Sequence, residues 1–214
     1  MKKNLFIAII IILSSSSLFS QTKTGTIKLG VFNPSATNAG FILGYETGWY
    51  IDHTFTSGLS IDWFNKNYID QNLVSEFDNF FGPNSSLNQL RAKTNLHAIP
   101  IMGNITGSWP IAPKTRAYVT GAVGAEILLI FYRNYDNPDN NEFQAAVDFA
   151  WKIGAGVSYE LGERSDGLIE IAYNNSEPSW QFDVKDATSG KSKVFERRFD
   201  LSGIMIRLGF KFYF

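Results

Sequence analysis

The chain has 214 residues, a formal net charge of -1 and no cysteine, with 44% hydrophobic, 15% aromatic and 18% charged residues. The absence of cysteine excludes a disulfide framework, thiol chemistry, an iron–sulfur cluster and a cysteine-based zinc site. The many aromatic residues and balanced charges argue against a disordered chain and against a nucleic-acid binder with a basic surface. These numbers indicate one folded domain of ordinary size.

Residues 1–20 have the pattern of a cleaved secretory signal peptide. Lys2 and Lys3 form a basic start, an apolar run follows from Leu5 to Leu13, and small residues precede Gln21. The apolar run is much shorter than the roughly 20 residues that a spanning helix needs. We therefore expect cleavage near Ser20 and a mature domain at 21–214, without a lipoprotein anchor because no cysteine follows the run.

Beyond Gln21, apolar and polar residues alternate with a period of two, which predicts β-strands. The last segment is the clearest, because every even-numbered residue from Ile204 to Phe214 is apolar, while Arg207 and Lys211 lie on the other face. The same alternation predicts eight strands, at 25–33, 39–49, 54–65, 93–107, 115–132, 143–160, 167–184 and 191–214.

Alternation alone does not identify the inner face, because a soluble lipocalin-like barrel would turn its apolar face inward. Side-chain size favours the opposite arrangement. The polar face is rich in Gly, Ala, Ser and Thr, which suit the narrow lumen of an eight-stranded barrel, whereas the apolar face carries large residues such as Trp63, Phe149 and Trp151. The pattern therefore predicts an all-β, eight-stranded antiparallel up-and-down transmembrane barrel with its apolar face toward lipid.

The lengths of the links predict an orientation. The links at 50–53, 108–114 and 161–166 are short, whereas the link at 65–92 and the one between strands 7 and 8 are long. Outer-membrane barrels have short periplasmic turns and long outer loops. An even number of strands then returns the C-terminus to the periplasm, beside the start of strand 1.

The signal segment, the eight alternating strands and the terminal sequence Phe210 to Phe214 resemble small outer-membrane barrels of the OmpA-like and OmpX-like kind. The resemblance implies a location in the outer membrane of a Gram-negative bacterium. It also implies that Phe210, Phe212 and Phe214 form the signal that the barrel-assembly machinery recognises. No periplasmic domain follows the strands, so the peptidoglycan tethering of full OmpA-type proteins is not implied.

The inward face carries charged residues, which must pair because an unpaired charge is costly to bury. We expect a network in the lumen, with Glu170–Arg207 as the first pair and Glu126–Lys152 as the second. A structural core is favoured over a gated conduction path. The expected members are Glu46, Asp62, Glu126, Asp148, Glu160, Glu170, Lys28, Lys152, Arg207 and Lys211.

The long outer segments 66–92 and 176–196 are candidates for contact with an unknown surface partner. In the first, Ile69, Leu73, Phe77 and Phe80 have helical spacing, which favours a short amphipathic helix at the barrel mouth. The second predicts a hairpin that prolongs strands 7 and 8. Its basic residues could meet lipopolysaccharide phosphates: Lys191, Lys193, Arg197 and Arg198.

The sequence gives little support for a catalytic site or a metal-binding site. The acidic loop around Asp136, Asp139 and Glu142 lacks the ordered spacing of a calcium loop. A lipid A-modifying enzyme would need a nucleophile near His97, yet Ser202 is on a distant strand, and His53 falls in a periplasmic turn. We therefore predict a non-enzymatic structural or surface-interaction protein without catalytic, cofactor or metal sites. The alternatives are a lipid A-modifying enzyme and a narrow pore.

Overall fold

A computed structural model describes residues 23–69, 74–75, 78–79, 93–133, 141–185 and 192–214. The predicted signal segment 1–20 lies outside these residues. No helix within the described ranges is long and apolar enough to cross a membrane.

Eight antiparallel strands form a closed barrel, which confirms the predicted fold class, and two further strands form a separate hairpin. The barrel order is β1-β10-β7-β6-β5-β4-β3-β2. The strands are β1 Lys23–Pro34, β2 Gly40–Tyr50, β3 Phe55–Ile69, β4 Lys93–Ala112, β5 Thr115–Arg133, β6 Asn141–Gly162, β7 Ser165–Asn175, β8 Ser179–Lys185, β9 Ser192–Arg198 and β10 Gly203–Tyr213.

The seam of the barrel joins the first strand to the last. β1 pairs with β10 from Thr24↔Tyr213 to Pro34↔Gly203, and the amide of Lys23 donates to the carbonyl of Phe214 at 2.9 Å. The short links 51–54, 113–114 and 163–164 lie at this same end of the barrel. We call it the turn end, and the opposite end, which carries the longer links, the loop end.

Two of the predicted strands are interrupted. The predicted strand 167–184 breaks at Ser176–Pro178, and the predicted strand 191–214 breaks at Phe199–Ser202. β8 and β9 form the expected hairpin, although as a separate sheet rather than as extensions of β7 and β10. Pro178 has no amide hydrogen to donate to a ladder, so a break at this position has a simple cause. The turn between β4 and β5 is also tighter than predicted, because β4 continues to Ala112.

The outer wall of the barrel is apolar, as predicted. Leu208, at the middle of β10, leaves 63% of its surface exposed, while its neighbour Arg207 is 1% exposed. The same alternation runs around the barrel. Exposed aliphatic residues include Ile27, Leu29, Val31, Leu43, Leu59, Ile61, Ile101, Ile105, Val119, Val123, Ile153, Ile169, Ile171, Ile204 and Ile206.

An apolar cluster, not predicted from the sequence, fills the lumen at the loop end. Phe32 and Phe64 make an edge-to-face contact with ring centroids 5.1 Å apart. Phe199 and Leu201 enter the cluster from the link between β9 and β10. We call this group the loop-end cluster; its buried members are Phe32, Ile42, Phe64, Leu96, Ala98, Leu128, Ile130, Ala146, Ala172, Phe199, Leu201 and Met205.

Candidate functional site: the charged layer of the lumen

Arg207 is the centre of a layer of charges that crosses the lumen. Its Nη1 donates to Asp62 Oδ1 at 2.8 Å. Its Nε donates to Glu170 Oε1 at 3.1 Å, and its Nη2 donates to the same oxygen. Arg207 and Glu170 are direct partners in the β10–β7 ladder, whereas Asp62 reaches Arg207 from β3. The structure therefore brings together the first pair expected from the sequence and adds a second carboxylate.

Two lysines complete the layer. Lys28 Nζ donates to Glu46 Oε2 and to Glu170 Oε2, each at 2.8 Å. Lys152 Nζ donates to Asp62 Oδ2 at 2.6 Å. We call Lys28, Glu46, Asp62, Lys152, Glu170 and Arg207 the charged layer. Its three positive and three negative charges balance.

The expected Glu126–Lys152 pair is wrong, because Lys152 binds Asp62 instead. Glu126 is 1% exposed and accepts hydrogen bonds from Ser176 Oγ at 2.5 Å and from Asn174 Nδ2 at 3.1 Å. Ser176 lies in the break after β7, where the chain turns toward the lumen. Glu126 therefore holds the break after β7 in place through its hydrogen bonds with Ser176 and Asn174, and it does not pair with a lysine.

The other charges expected in the lumen lie at its edges. The side chain of Glu160 is exposed near the turn end, so its expected membership of the network is wrong. Asp148 accepts from the backbone amide of Glu177 at 2.7 Å. Lys211 is half-buried at the turn end, with its Nζ 5.8 Å from the centre of the Tyr213 ring. None of these three belongs to the charged layer.

Glycine makes room for the closest approach in the layer. A Cβ added to Gly44 would lie 2.1 Å from Asp62 Oδ1 and 3.4 Å from Arg207 Nη1. A side chain at this position would therefore displace the carboxylate that Arg207 and Lys152 share.

We expect Gly44→Ala to lower the free energy of unfolding by about 1–3 kcal/mol, the scale of overpacking in a filled interior. Gly121→Ala is the matched control, because a Cβ on Gly121 would have no atom within 4 Å. Urea unfolding in micelles, followed by tryptophan fluorescence, measures both variants. Equal stability of the two variants would contradict the close packing around Asp62.

The link 199–202 closes the lumen above the charged layer. The amide of Leu201 donates to the carbonyl of Ser176 at 3.0 Å, and the amide of Ala36 donates to the carbonyl of Asp200 at 2.8 Å. Partial burial would raise the pKa of the Asp200 carboxyl, but hydrogen bonds from Ser202 and Ser35 hold that pKa below its ordinary value. These bonds fix Phe199 and Leu201 in the loop-end cluster.

Below the charged layer, the turn end holds an open recess. Its empty volume is about 600 Å³, part of which is open solvent. Lys28, Glu46 and Tyr118 line its inner part, and Tyr118 also donates to Glu170 Oε2 at 3.2 Å. The recess therefore ends at the charged layer. Its outer part is lined by Arg116, Asp166, Lys211 and Tyr213 together with several serine and threonine hydroxyls.

His97 lies on the outer wall among aromatic rings. Trp63 Nε1 donates to His97 Nδ1 at 3.1 Å, and the Phe131 ring meets the imidazole edge-on at 5.5 Å. Ser202 is 6% exposed and accepts from Asn175 Nδ2 at 2.8 Å. His97 is thus part of an aromatic group, and Ser202 is bound within the loop-end link. His53 lies in the turn 51–54, as expected.

Solved structures share this architecture, although no protein-family model and no curated protein sequence matches the chain. OprG from Pseudomonas aeruginosa has a TM-score of 0.61 and 12% identity, covering 91% of this chain and 96% of OprG. A major outer membrane protein from Thermus thermophilus has a TM-score of 0.55 and 11% identity, covering 92% and 100%. Neisserial surface protein A has a TM-score of 0.54 and 11% identity, covering 90% and 96%.

This chain has the fold of the small eight-stranded outer-membrane barrels. The expected resemblance is confirmed at the level of fold. Sequence identities of 11–12% do not assign a functional residue of these proteins to any position in this barrel.

The aromatic residues at the C-terminus lie at the seam between β10 and β1. Phe210 and Phe214 are exposed on the outer wall, and the Phe212 and Phe214 rings stack with centroids 5.8 Å apart. The three aromatic residues of the expected assembly signal therefore lie together at the turn end of β10.

Most of the candidate surface loops lie outside the described residues. This applies to most of 66–92, including Leu73, Phe77 and Phe80, to Asp136 and Asp139, and to the tip of 176–196, including Lys191. Among the residues that the structure describes, no group of three or more His, Asp or Glu side chains is placed to hold a metal ion.

The partners of Glu126 and the contact of Tyr118 with the charged layer are not predicted from the sequence. Tyr118 has inward parity on β5, which could identify it as a partner for a lumen carboxylate. Asn174 and Ser176 share a parity across the end of β7, which could suggest their joint contact with Glu126.

Proposed function

We propose that this protein is a non-enzymatic outer-membrane barrel of a Gram-negative bacterium that acts through its structure and through contacts at its loop end. One observation carries the proposal: a closed barrel with an apolar outer wall contains a lumen filled at two levels, by the charged layer and by the loop-end cluster. Such a molecule fits a lipid bilayer, and among the described residues the charged layer and the loop-end cluster occupy the centre of the barrel.

The apolar side chains of the outer wall support the proposal that the wall faces lipid. Soluble monomers rarely expose apolar patches larger than a few hundred Å². Here aliphatic side chains are exposed on all the barrel strands, with aromatic residues such as Trp63, Trp109 and Tyr159 also on the outside. A transmembrane barrel has this kind of apolar wall with aromatic residues at the two interfaces.

Two measurements test the location and the closed lumen. The mature protein should fractionate with outer membranes and should migrate faster on an SDS gel when it is not boiled. Purified protein in planar bilayers should show no steady single-channel conductance, because the charged layer and the loop-end cluster both block the axis. Recovery in the soluble periplasm would contradict the location, and stable conductance would favour the narrow pore.

The contacts of His97 and Ser202 support a non-enzymatic role. A hydrolase that attacks lipid needs a nucleophile within hydrogen-bond reach of its base. The hydrogen bond from Trp63 occupies His97 Nδ1, whereas Ser202 is bound to Asn175. Lipid A mass spectra should therefore be the same with and without the gene.

The orientation follows from the links. We place the turn end in the periplasm and the loop end outside the cell, where the bilayer contains lipopolysaccharide. Segments 66–92 and 176–196 then face the surroundings and are the surfaces for an external partner. A pull-down with the intact protein should lose surface partners when both segments are shortened, while shortening the link 35–39 serves as the control.

We place recognition by the barrel-assembly machinery at Phe210, Phe212 and Phe214, and cleavage of the signal segment 1–20 before Gln21. Phe214→Asp should lower the level in the outer membrane severalfold. The same variant should fold nearly normally in lipid vesicles, where no machinery is present. Phe214→Tyr is the control, because it keeps an aromatic ring at the same position. Equal levels of both variants in cells would contradict the assembly signal.

A further inference from the structure

We propose that the recess at the turn end is a binding site for a small phosphate-bearing anion. The recess opens at one end of the barrel and stops at the charged layer, so it is a pocket rather than a path.

The charged side chains that line the recess have a net positive charge. The charged layer neutralises itself, so the pairing of Lys28 with Glu46 contributes no net charge to the recess. The other charged residues of its lining are Arg116, Lys211 and Asp166. Two cations therefore face one carboxylate, and an incoming anion would meet one positive charge in excess.

Asp166 does not neutralise both cations. It is 3% exposed and accepts a hydrogen bond from the Tyr213 hydroxyl at 2.5 Å. Lys211 is attracted most strongly to Asp166 and next to Glu46, which is already paired with Lys28, and it is repelled by Lys28 and Arg116, which carry the same sign as its own charge. An anion between the cations would relieve this repulsion.

The donors around the recess fit a tetrahedral oxyanion. Arg116 lies on β5 and Lys211 on β10, so the two cations approach from different walls of the barrel. Arg116 is held by Nη2 hydrogen bonds to the Ser108 carbonyl and hydroxyl, both at 3.1 Å. Hydroxyl groups of Thr24, Thr26 and Ser158 line the walls between them. Charged donors on several sides meet more than one oxygen of a tetrahedral phosphate, in hydrogen bonds that are strengthened by charge.

Calorimetry with inorganic phosphate tests the site on protein folded in octyl glucoside micelles at fixed chloride. The unchanged protein should bind phosphate at a single site. Lys211→Met and Arg116→Met should each weaken binding by about tenfold or more, the scale of one charged hydrogen bond. Asp166→Asn should strengthen binding, because it removes the one opposing carboxylate.

Arg164→Met is the matched control, since Arg164 is an exposed cation in the turn 163–164 at the same end but outside the lining. Solvent screening should keep its effect on the dissociation constant within about twofold. The gel shift on boiling verifies that each variant is folded. The proposal is overturned if phosphate does not bind at about 10 mM, or if Lys211→Met and Arg164→Met behave alike.

A second titration, with phosphatidylglycerol in mixed micelles, distinguishes the source of the phosphate group. Binding of both probes with the same dependence on Lys211 would identify a lipid headgroup that reaches the recess from the membrane edge. Binding of inorganic phosphate alone would identify a soluble ligand. Either result supports a phosphate site in the recess.

Discussion

Glu170→Gln should lower the free energy of unfolding of the barrel by about 3–5 kcal/mol, the usual cost of removing one partner from a buried ion pair. Glu170 is 1% exposed and contacts both Arg207 and Lys28. Its neutralisation leaves the charged layer with one positive charge in excess. Urea unfolding in micelles measures the loss, and Glu160→Gln, a change at an exposed carboxylate, should stay within about 0.5 kcal/mol.

A second substitution should restore part of the lost stability. In the double variant Glu170→Gln with Arg207→Met, Lys28 can pair with Glu46 and Lys152 with Asp62, so the remaining charges balance. The double-mutant cycle should therefore show a coupling of roughly 0.5–3 kcal/mol. Strict additivity of the two single changes would show that the Glu170–Arg207 contact contributes nothing to stability.

Leu208→Lys should destabilise the barrel in lipid vesicles by about 2–4 kcal/mol, the cost of a lysine facing the middle of a bilayer. Leu208 lies at the centre of β10, and its side chain points outward. Ile51→Lys makes the same chemical change in the exposed turn 51–54, where the cost should fall to about 0–1 kcal/mol. Folding yield in vesicles, read from the gel shift, compares the two variants.

If Leu208→Lys folded as well as Ile51→Lys in vesicles, the outer wall would not face hydrocarbon. The soluble-barrel alternative would then account better for the alternation. Leu208→Met keeps an apolar side chain and should fold normally, so it separates the effect of charge from the effect of lost shape.

The fold is predictable because a strand has a side-chain period of two, and one face of each strand must match lipid. Arg207 and Glu170 can be paired from the sequence because their strands are expected to be neighbours. Asp62 and Lys152 cannot, because β3 and β6 are not adjacent in the barrel. Contacts across a lumen depend on strand tilt and stagger, which alternation does not specify.

The loop-end cluster escapes prediction for a different reason. Phe32, Ile42 and Phe64 have inward parity, but the small and polar residues that dominate the same face indicate a polar lumen. Phe199 and Leu201 share the odd-numbered parity of Met205 and Arg207, which agrees with their inward position. What parity cannot show is that the chain leaves the ladder at 199–202 and folds across the lumen.

The position of Phe199 and Leu201 next to β10 has a consequence for the order of folding. The same C-terminal stretch contributes these two apolar residues and the strand that pairs with β1. Its contacts with β1 join residues from opposite ends of the described chain, so the entropy of closing that loop opposes their formation. A partly inserted barrel would have both an open strand edge and an incomplete interior. The β1–β10 ladder and the loop-end cluster should therefore form together in one late cooperative step of folding. The rate of the slowest folding phase should then change as much with substitutions at Phe199 as with substitutions in β10.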